Sequence, residues 1–125
     1  MDWFGAGETV TLARAAAEGR IDGVAASCLP AEIQAISIGP WTFVGWPGET
    51  FVEYALALEA RAQAAHVISL ANGELQGYIV TREAIAEGAY EAGNALFDYS
   101  SGSILVERTL KLLSATGLQP EQRRA

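Results

Sequence analysis

The eleven residues from Trp41 to Phe51, WTFVGWPGETF, constrain the chain more than any other stretch, because a strand, a chain break and a carboxylate follow one another with no room for a long loop. Phe43 and Val44 leading into Gly45-Trp46 read as a buried strand, and Pro47-Gly48 breaks the extended chain before an apolar, alanine-rich helix. Glu49 falls at the strand-to-helix corner. Such a corner in an α/β fold is held by rigid elements yet open on one side, which suits chemistry. An acidic residue in a first helical turn also has a purely structural use, complementing the macrodipole by about 0.3–1 kcal/mol. Both readings of Glu49 stay open on these residues alone.

The remaining segments arrange themselves around this corner. Glu8 to Gly19 predicts a helix with Leu12, Ala13, Ala16 and Ala17 as its apolar face and Gly19 as its stop. Arg20 to Pro30 shows no clear period and reads as irregular or a short strand. Glu32 to Ile38, EIQAISI, is β-branched on both registers, so a strand with both faces partly covered is expected. Gly39-Pro40 turns the chain, making Glu32 to Trp46 a hairpin. Beyond Glu49, Phe51, Tyr54, Ala55, Leu58 and Ala62 recur at helical spacing as a core stripe, with Glu53, Arg61 and Gln63 opposite. His66 to Leu70 follows as a strand, so the helix completes a β-α-β crossover with parallel pairing.

After the Asn72-Gly73 turn, Glu74 to Thr81 reads as a short loop or strand, with Gly77 allowing close backbone approach beside Tyr78. Thr81 is an N-cap for a short helix, Arg82 to Glu87. Gly88 to Gly93 reads as a glycine-flanked loop carrying Tyr90 and Glu91, an arrangement that suits a site better than a core. A last helix is expected from Ser103 to Ala115, with Ile104, Leu105, Leu112 and Leu113 on one side, Gly117 and Pro120 as stops, and Glu121 to Ala125 as a solvated tail. The resulting fold class is α/β: a small mixed sheet with a β-hairpin, a β-α-β crossover and flanking helices, in a single domain over residues 1–125.

Composition removes several classes of function. A formal net charge of -7 argues against nucleic acid or an anionic membrane surface as partner. No stretch approaches the about 20 apolar residues of a membrane span, and the amino terminus lacks a basic region followed by an apolar one, so a cytoplasmic location is expected. Cys28 is alone, and no cysteine and histidine cluster has the spacing of a structural zinc site. His66, the single histidine, reads as capping a strand edge rather than binding a metal. A hydrophobic fraction of 50% is high for a small domain and points to apolar surface that a partner covers.

The series PGETF, HVISLAN, GYIVT and AYEAG, followed by a serine- and glycine-containing loop and a closing helix, resembles the neutral/alkaline non-lysosomal ceramidase family from about Glu32 to Leu113. Members are zinc-dependent amidases that cut the N-acyl bond of ceramide and related lipids, and the match covers only the carboxy-terminal part of their catalytic domain. The resemblance implies that Glu49 and Tyr78 stand at two metal-ligand positions, and that Tyr90 matches a tyrosine that binds or polarises the scissile amide. A carboxylate and a phenolate offer hard anionic oxygen to zinc, which lowers the pKa of a bound water to about 7. Such a water would attack the carbonyl while Tyr90 supports the oxyanion.

The family's two histidine ligands lie in a part this sequence does not contain, and His66 corresponds to neither. Two oxygen ligands are fewer than the three protein groups that hold catalytic zinc, so the expectation is a ceramidase-like domain that is inactive alone and does not hold zinc tightly. Three arrangements follow: a self-associating domain, most simply a homodimer; a subunit of a split amidase whose partner chain supplies the missing half; or a non-catalytic pocket for a lipid or small amide.

Overall fold

The computed structural model describes residues 6–73, 75 and 77–118. Its sheet is mixed, as the crossover pattern requires. Strand β1 (Gln34–Ile38) pairs antiparallel with β2 (Trp41–Gly45) through the Gly39-Pro40 turn, and β2 pairs in parallel with β4 (Ala65–Ile68). Helix α3 (Val52–Glu59) makes the connection from β2 to β4. Between β2 and α3 the chain adds a two-residue strand, β3 (Glu49–Thr50), which pairs in parallel with β5 (Tyr78–Ile79) as a second small sheet. Helices α1 (Ala6–Ala17) and α2 (Ile21–Ser27) precede the sheet; α4 (Arg82–Glu87), a 3₁₀ turn (Tyr90–Asn94) and α5 (Ser100–Thr116) follow it.

The core lies between the inner face of the larger sheet and helices α3 and α5. Val44, Trp46, Leu58, Ala65, Ile79, Val106 and Leu113 are all buried there. Burial of each large side chain of this kind contributes about 1.5–3 kcal/mol. At its centre the Trp46 indole N–H donates to Thr109 Oγ1 at 2.9 Å, so the end of β2 is tied to the middle of α5 by a satisfied buried pair. Tyr54 of α3 lies against Gly102, where an added Cβ would come within 2.2 Å of its ring. The Tyr54 hydroxyl sits 2.9 Å from the Val80 carbonyl and 2.7 Å from that of Tyr99, linking α3 to the chain on both sides of α4.

Several elements follow local rules closely. Thr81 adopts extended geometry and its Oγ1 accepts from the Ala84 N–H at 3.1 Å, the expected N-cap of α4. Of the stripe expected for α3, Leu58 is buried within the helix and Ala62 is buried just beyond its end at Glu59, while Glu53, Arg61 and Gln63 stay exposed. Gly117 ends α5 in the left-handed conformation.

Other expectations are corrected. Ile21–Ser27 is a helix rather than irregular chain or a strand; seven residues span about two turns, too few for a hydrophobic period to repeat. Among the described side chains of α1, Ala15 is buried, while Ala13, Ala16 and Ala17 are exposed. The Glu32–Ile38 stretch is an edge strand with Ile36 and Ile38 52% and 63% exposed, so only one face is covered. Helix α5 starts three residues earlier than expected, at Ser100, behind an Asp98 carboxylate that accepts from the Ser100 N–H at 2.9 Å. Its buried side is Gly102, Leu105, Val106, Thr109 and Leu113, and Ile104 faces outward. Pro120 and the Glu121–Ala125 tail lie outside the described residues. Among the described residues no helix is long and apolar enough to cross a membrane.

Candidate functional site

The corner after β2 is more rigid than a turn. Beyond β2, Trp46 N–H donates to Ile68 O at 3.0 Å, and Ala71, Leu70 and Leu75 N–H groups donate to Trp46 O, Gly48 O and Pro47 O at 3.0, 3.2 and 2.7 Å. Pro47 and Gly48 are consequently buried. Gly48 packs closely under the small sheet: a Cβ there would lie 2.9 Å from Ile79 Cδ1, at the end of a side chain that would have to shift. Glu49 is therefore placed in a strand, not in the first turn of α3, which starts three residues later at Val52. The macrodipole role is thus removed, because that effect is confined to the first turn.

In β3, Glu49 is the direct register partner of Tyr78, and the Phe51 N–H donates to Ile79 O at 3.1 Å just beyond it. The Tyr90 ring lies 6.2 Å from the Tyr78 ring at 73°, an edge-to-face contact. Gly88–Gly93 is not an open loop: Tyr90 starts the 3₁₀ turn, and Asn94 at its end donates from Nδ2 to Tyr90 O at 3.1 Å. Asn94 O in turn approaches Gly77, whose φ of +76° and lack of a side chain permit the contact; a Cβ there would lie 2.2 Å away. The close approach expected at Gly77 is thus made by the protein's own backbone.

Glu49, Tyr78, Tyr90 and Asn94 share one cleft of about 710 Å³. Its apolar lining comes from Leu12, Leu70, Leu75 and Leu96. Glu49 is exposed, Tyr78 half-buried and Tyr90 45% exposed. Burial pushes the Tyr78 phenol above its ordinary pKa, helped by the charge of Glu49, by Tyr90 and Glu91, and by hydrogen bonding to the Glu49 carboxylate. The phenol therefore holds its proton more firmly than a free tyrosine does.

His66 takes no part in this cleft. It sits on the outer face of β4 with its ring 5.3 Å from that of Trp41 and 6.1 Å from that of Phe43, and its Nδ1 lies 3.3 Å from Glu59 Oε1. Among the described residues no three His, Cys, Asp or Glu side chains are grouped as a metal centre. Glu49 and Tyr78 thus supply two oxygen donors, which fit part of a zinc site and leave it short of nitrogen or further oxygen ligands. Neither Asn94 nor the contribution of α1 through Leu12 is apparent from the sequence. Asn94 carries no local signal beyond its position after Gly93, and its role depends on a contact across the fold.

The architecture defines an α/β domain with a small mixed sheet and a cleft at the β3–β5 junction. The chain matches no protein-family model, no curated protein and no solved structure.

Proposed function

We propose that this chain carries one half of a ceramidase-like zinc amidase centre, with Glu49 and Tyr78 as oxygen ligands and Tyr90 beside the amide, and that it is inactive without nitrogen ligands from outside these 125 residues. One observation carries the reading. Glu49, Tyr78 and Tyr90, which the motif resemblance selects from three separate segments, meet in a single cleft, two of them as register partners. A carboxylate facing a phenol raises the phenol's proton affinity, and a cation between them reverses that effect. Zinc bound there would supply Lewis acidity and an activated water.

Calorimetric zinc titration of the chain, with and without added imidazole as surrogate nitrogen ligand, tests this. Imidazole is expected to tighten zinc binding, and Glu49→Ala and Tyr78→Phe are each expected to weaken it. Zinc binding unchanged in both variants, or absent even with imidazole, overturns the reading.

The apolar lining favours a second reading, a non-catalytic pocket for a lipid or small amide. Leucines around a few convergent polar groups, in a volume within the about 300–1,000 Å³ range of ligand sites, are what such a pocket needs. A short-chain N-acyl amide that binds equally well to the metal-free chain and to Glu49→Ala would support this reading over the half-site.

A further inference from the structure

The pairing register sorts the larger sheet into two faces. Ala35, Thr42, Val44, Ala65 and Val67 point inward. Ile36 lies opposite Phe43 and Ile38 opposite Trp41 on the antiparallel side, while Phe43 lies opposite His66 and Gly45 opposite Ile68 on the parallel side. Side chains of paired residues share a face, so Ile36, Ile38, Trp41, Phe43, His66 and Ile68 form one continuous outer surface. The aromatic contacts of His66 with Trp41 and Phe43 fit this arrangement. Among the described residues no helix covers it: Ile36, Ile38, Trp41 and Ile68 are 52%, 63%, 44% and 50% exposed. Most antiparallel sheets with one solvated face make that face polar. Here the outward positions alternate correctly but carry the wrong chemistry for water.

We propose that a second copy of this chain stacks on this face, sheet against sheet, about a two-fold axis. The proposal goes beyond the half-site reading and does not depend on it. Two arguments select a second copy as the occupant. The first is area. Ile36, Ile38, Trp41 and Ile68 are each about half exposed, and burying them in both copies at once gives an interface on the order of 1,000 Å², the small class of weak, reversible association. The second is charge. The chain carries a net charge of -7, so two copies repel except where the contact carries no acidic group. Among the described residues, the outward positions of β1, β2 and β4 carry no ionisable side chain apart from the His66 imidazole, and Glu59 reaches that face through His66. The same charge disfavours an anionic membrane, and a neutral face offers nothing to a basic partner. Both sheets present alternating β-branched and aromatic residues, which interdigitate at about 10 Å separation when two such faces pack.

Sedimentation equilibrium across micromolar concentrations tests the proposal. The expected mass rises from the 13.2 kDa monomer to twice that value, and added salt tightens association by screening the like charges. Ile38→Lys is expected to raise the dimer dissociation constant about a hundredfold, since two-fold symmetry buries the lysine twice. Ile36→Thr, which keeps a β-branched residue in the strand, is expected to weaken the dimer less while leaving the urea midpoint nearly unchanged. Ile85→Lys, on α4, should leave the mass unaltered. A monomer at every concentration and salt overturns the proposal. So does a dimer that resists both sheet variants and dissociates with Leu56→Lys, which would place the contact on α3 instead.

Discussion

Glu49 and Tyr78 are direct register partners on two parallel strands of two residues each, and that pairing adds to the burial that raises the phenol's proton affinity. The phenol is raised from its ordinary value of 10.0 by burial first and then by Glu49. Glu49→Gln removes the charge and should lower the Tyr78 pKa partway toward that value. Because the folded pKa lies above the unfolded one, the associated stability is fully present below pH 10 and is lost as pH rises through the folded value. The variant should therefore lose less stability across that alkaline window. Carbon-13 titration of the tyrosine ring, paired with urea unfolding at stepped pH, measures both effects; an unmoved Tyr78 would show that Glu49 does not act on it.

Metal binding should act on the same phenol with opposite sign. Coordination needs the phenolate, so zinc uptake would release a proton and its affinity would rise with pH until the phenol ionises. Calorimetry in buffers of different ionisation enthalpy counts that proton. Proton release that persists undiminished in Tyr78→Phe would assign it to another group.

The buried Trp46–Thr109 hydrogen bond should be worth more when broken than its net contribution suggests. Thr109→Val keeps the shape but leaves the indole N–H unpaired, which costs about 1–3 kcal/mol. Urea denaturation should show that loss with an unchanged slope. A neutral substitution would mean that water reaches the indole.

Gly77 and Gly88 both have positive φ but differ in surroundings. A Cβ at Gly88 meets nothing within 4 Å, whereas one at Gly77 lies 2.2 Å from Asn94 O. Gly88→Ala should cost about 1 kcal/mol of backbone strain. Gly77→Ala should cost about 2–4 kcal/mol and separate the 3₁₀ turn from β5. Nuclear Overhauser contacts between the Tyr78 and Tyr90 rings should survive the first change and vanish in the second.

Two carboxylates should shape the acid limb of stability. Hydrogen bonds from the Ser100 hydroxyl and N–H hold Asp98 below its ordinary value, and the Arg61 guanidinium does the same for Glu107. Folded values below the unfolded ones mean that this stability is present above about pH 4.5 and is lost as pH falls through the depressed values. Asp98→Ala should flatten stability against pH in that range, as followed by circular dichroism; an unchanged slope would remove Asp98 from the account.

Short-range chemistry was legible in the chain itself. The Gly39-Pro40 turn, the α3 stripe of Tyr54 and Leu58, the Thr81 cap and the glycine stop at Gly117 each follow from residues within about one turn of one another, so the hairpin, the crossover and most helices could be read directly. The corner singles out Glu49, and the glycine-flanked stretch singles out Tyr90, on local signals, while their roles and that of Tyr78 rest on the motif resemblance. Only the tertiary structure decided that Glu49 leaves the helix start for a strand beside Tyr78, that Asn94 closes on Gly77, that Ile104 turns away from the core and that Ile36, Ile38, Trp41 and Ile68 of the outer sheet face are exposed. Two-residue strands have no period of their own. Their pairing, like the choice of which apolar side is buried, is settled by contacts between distant segments, whose energies no local pattern contains.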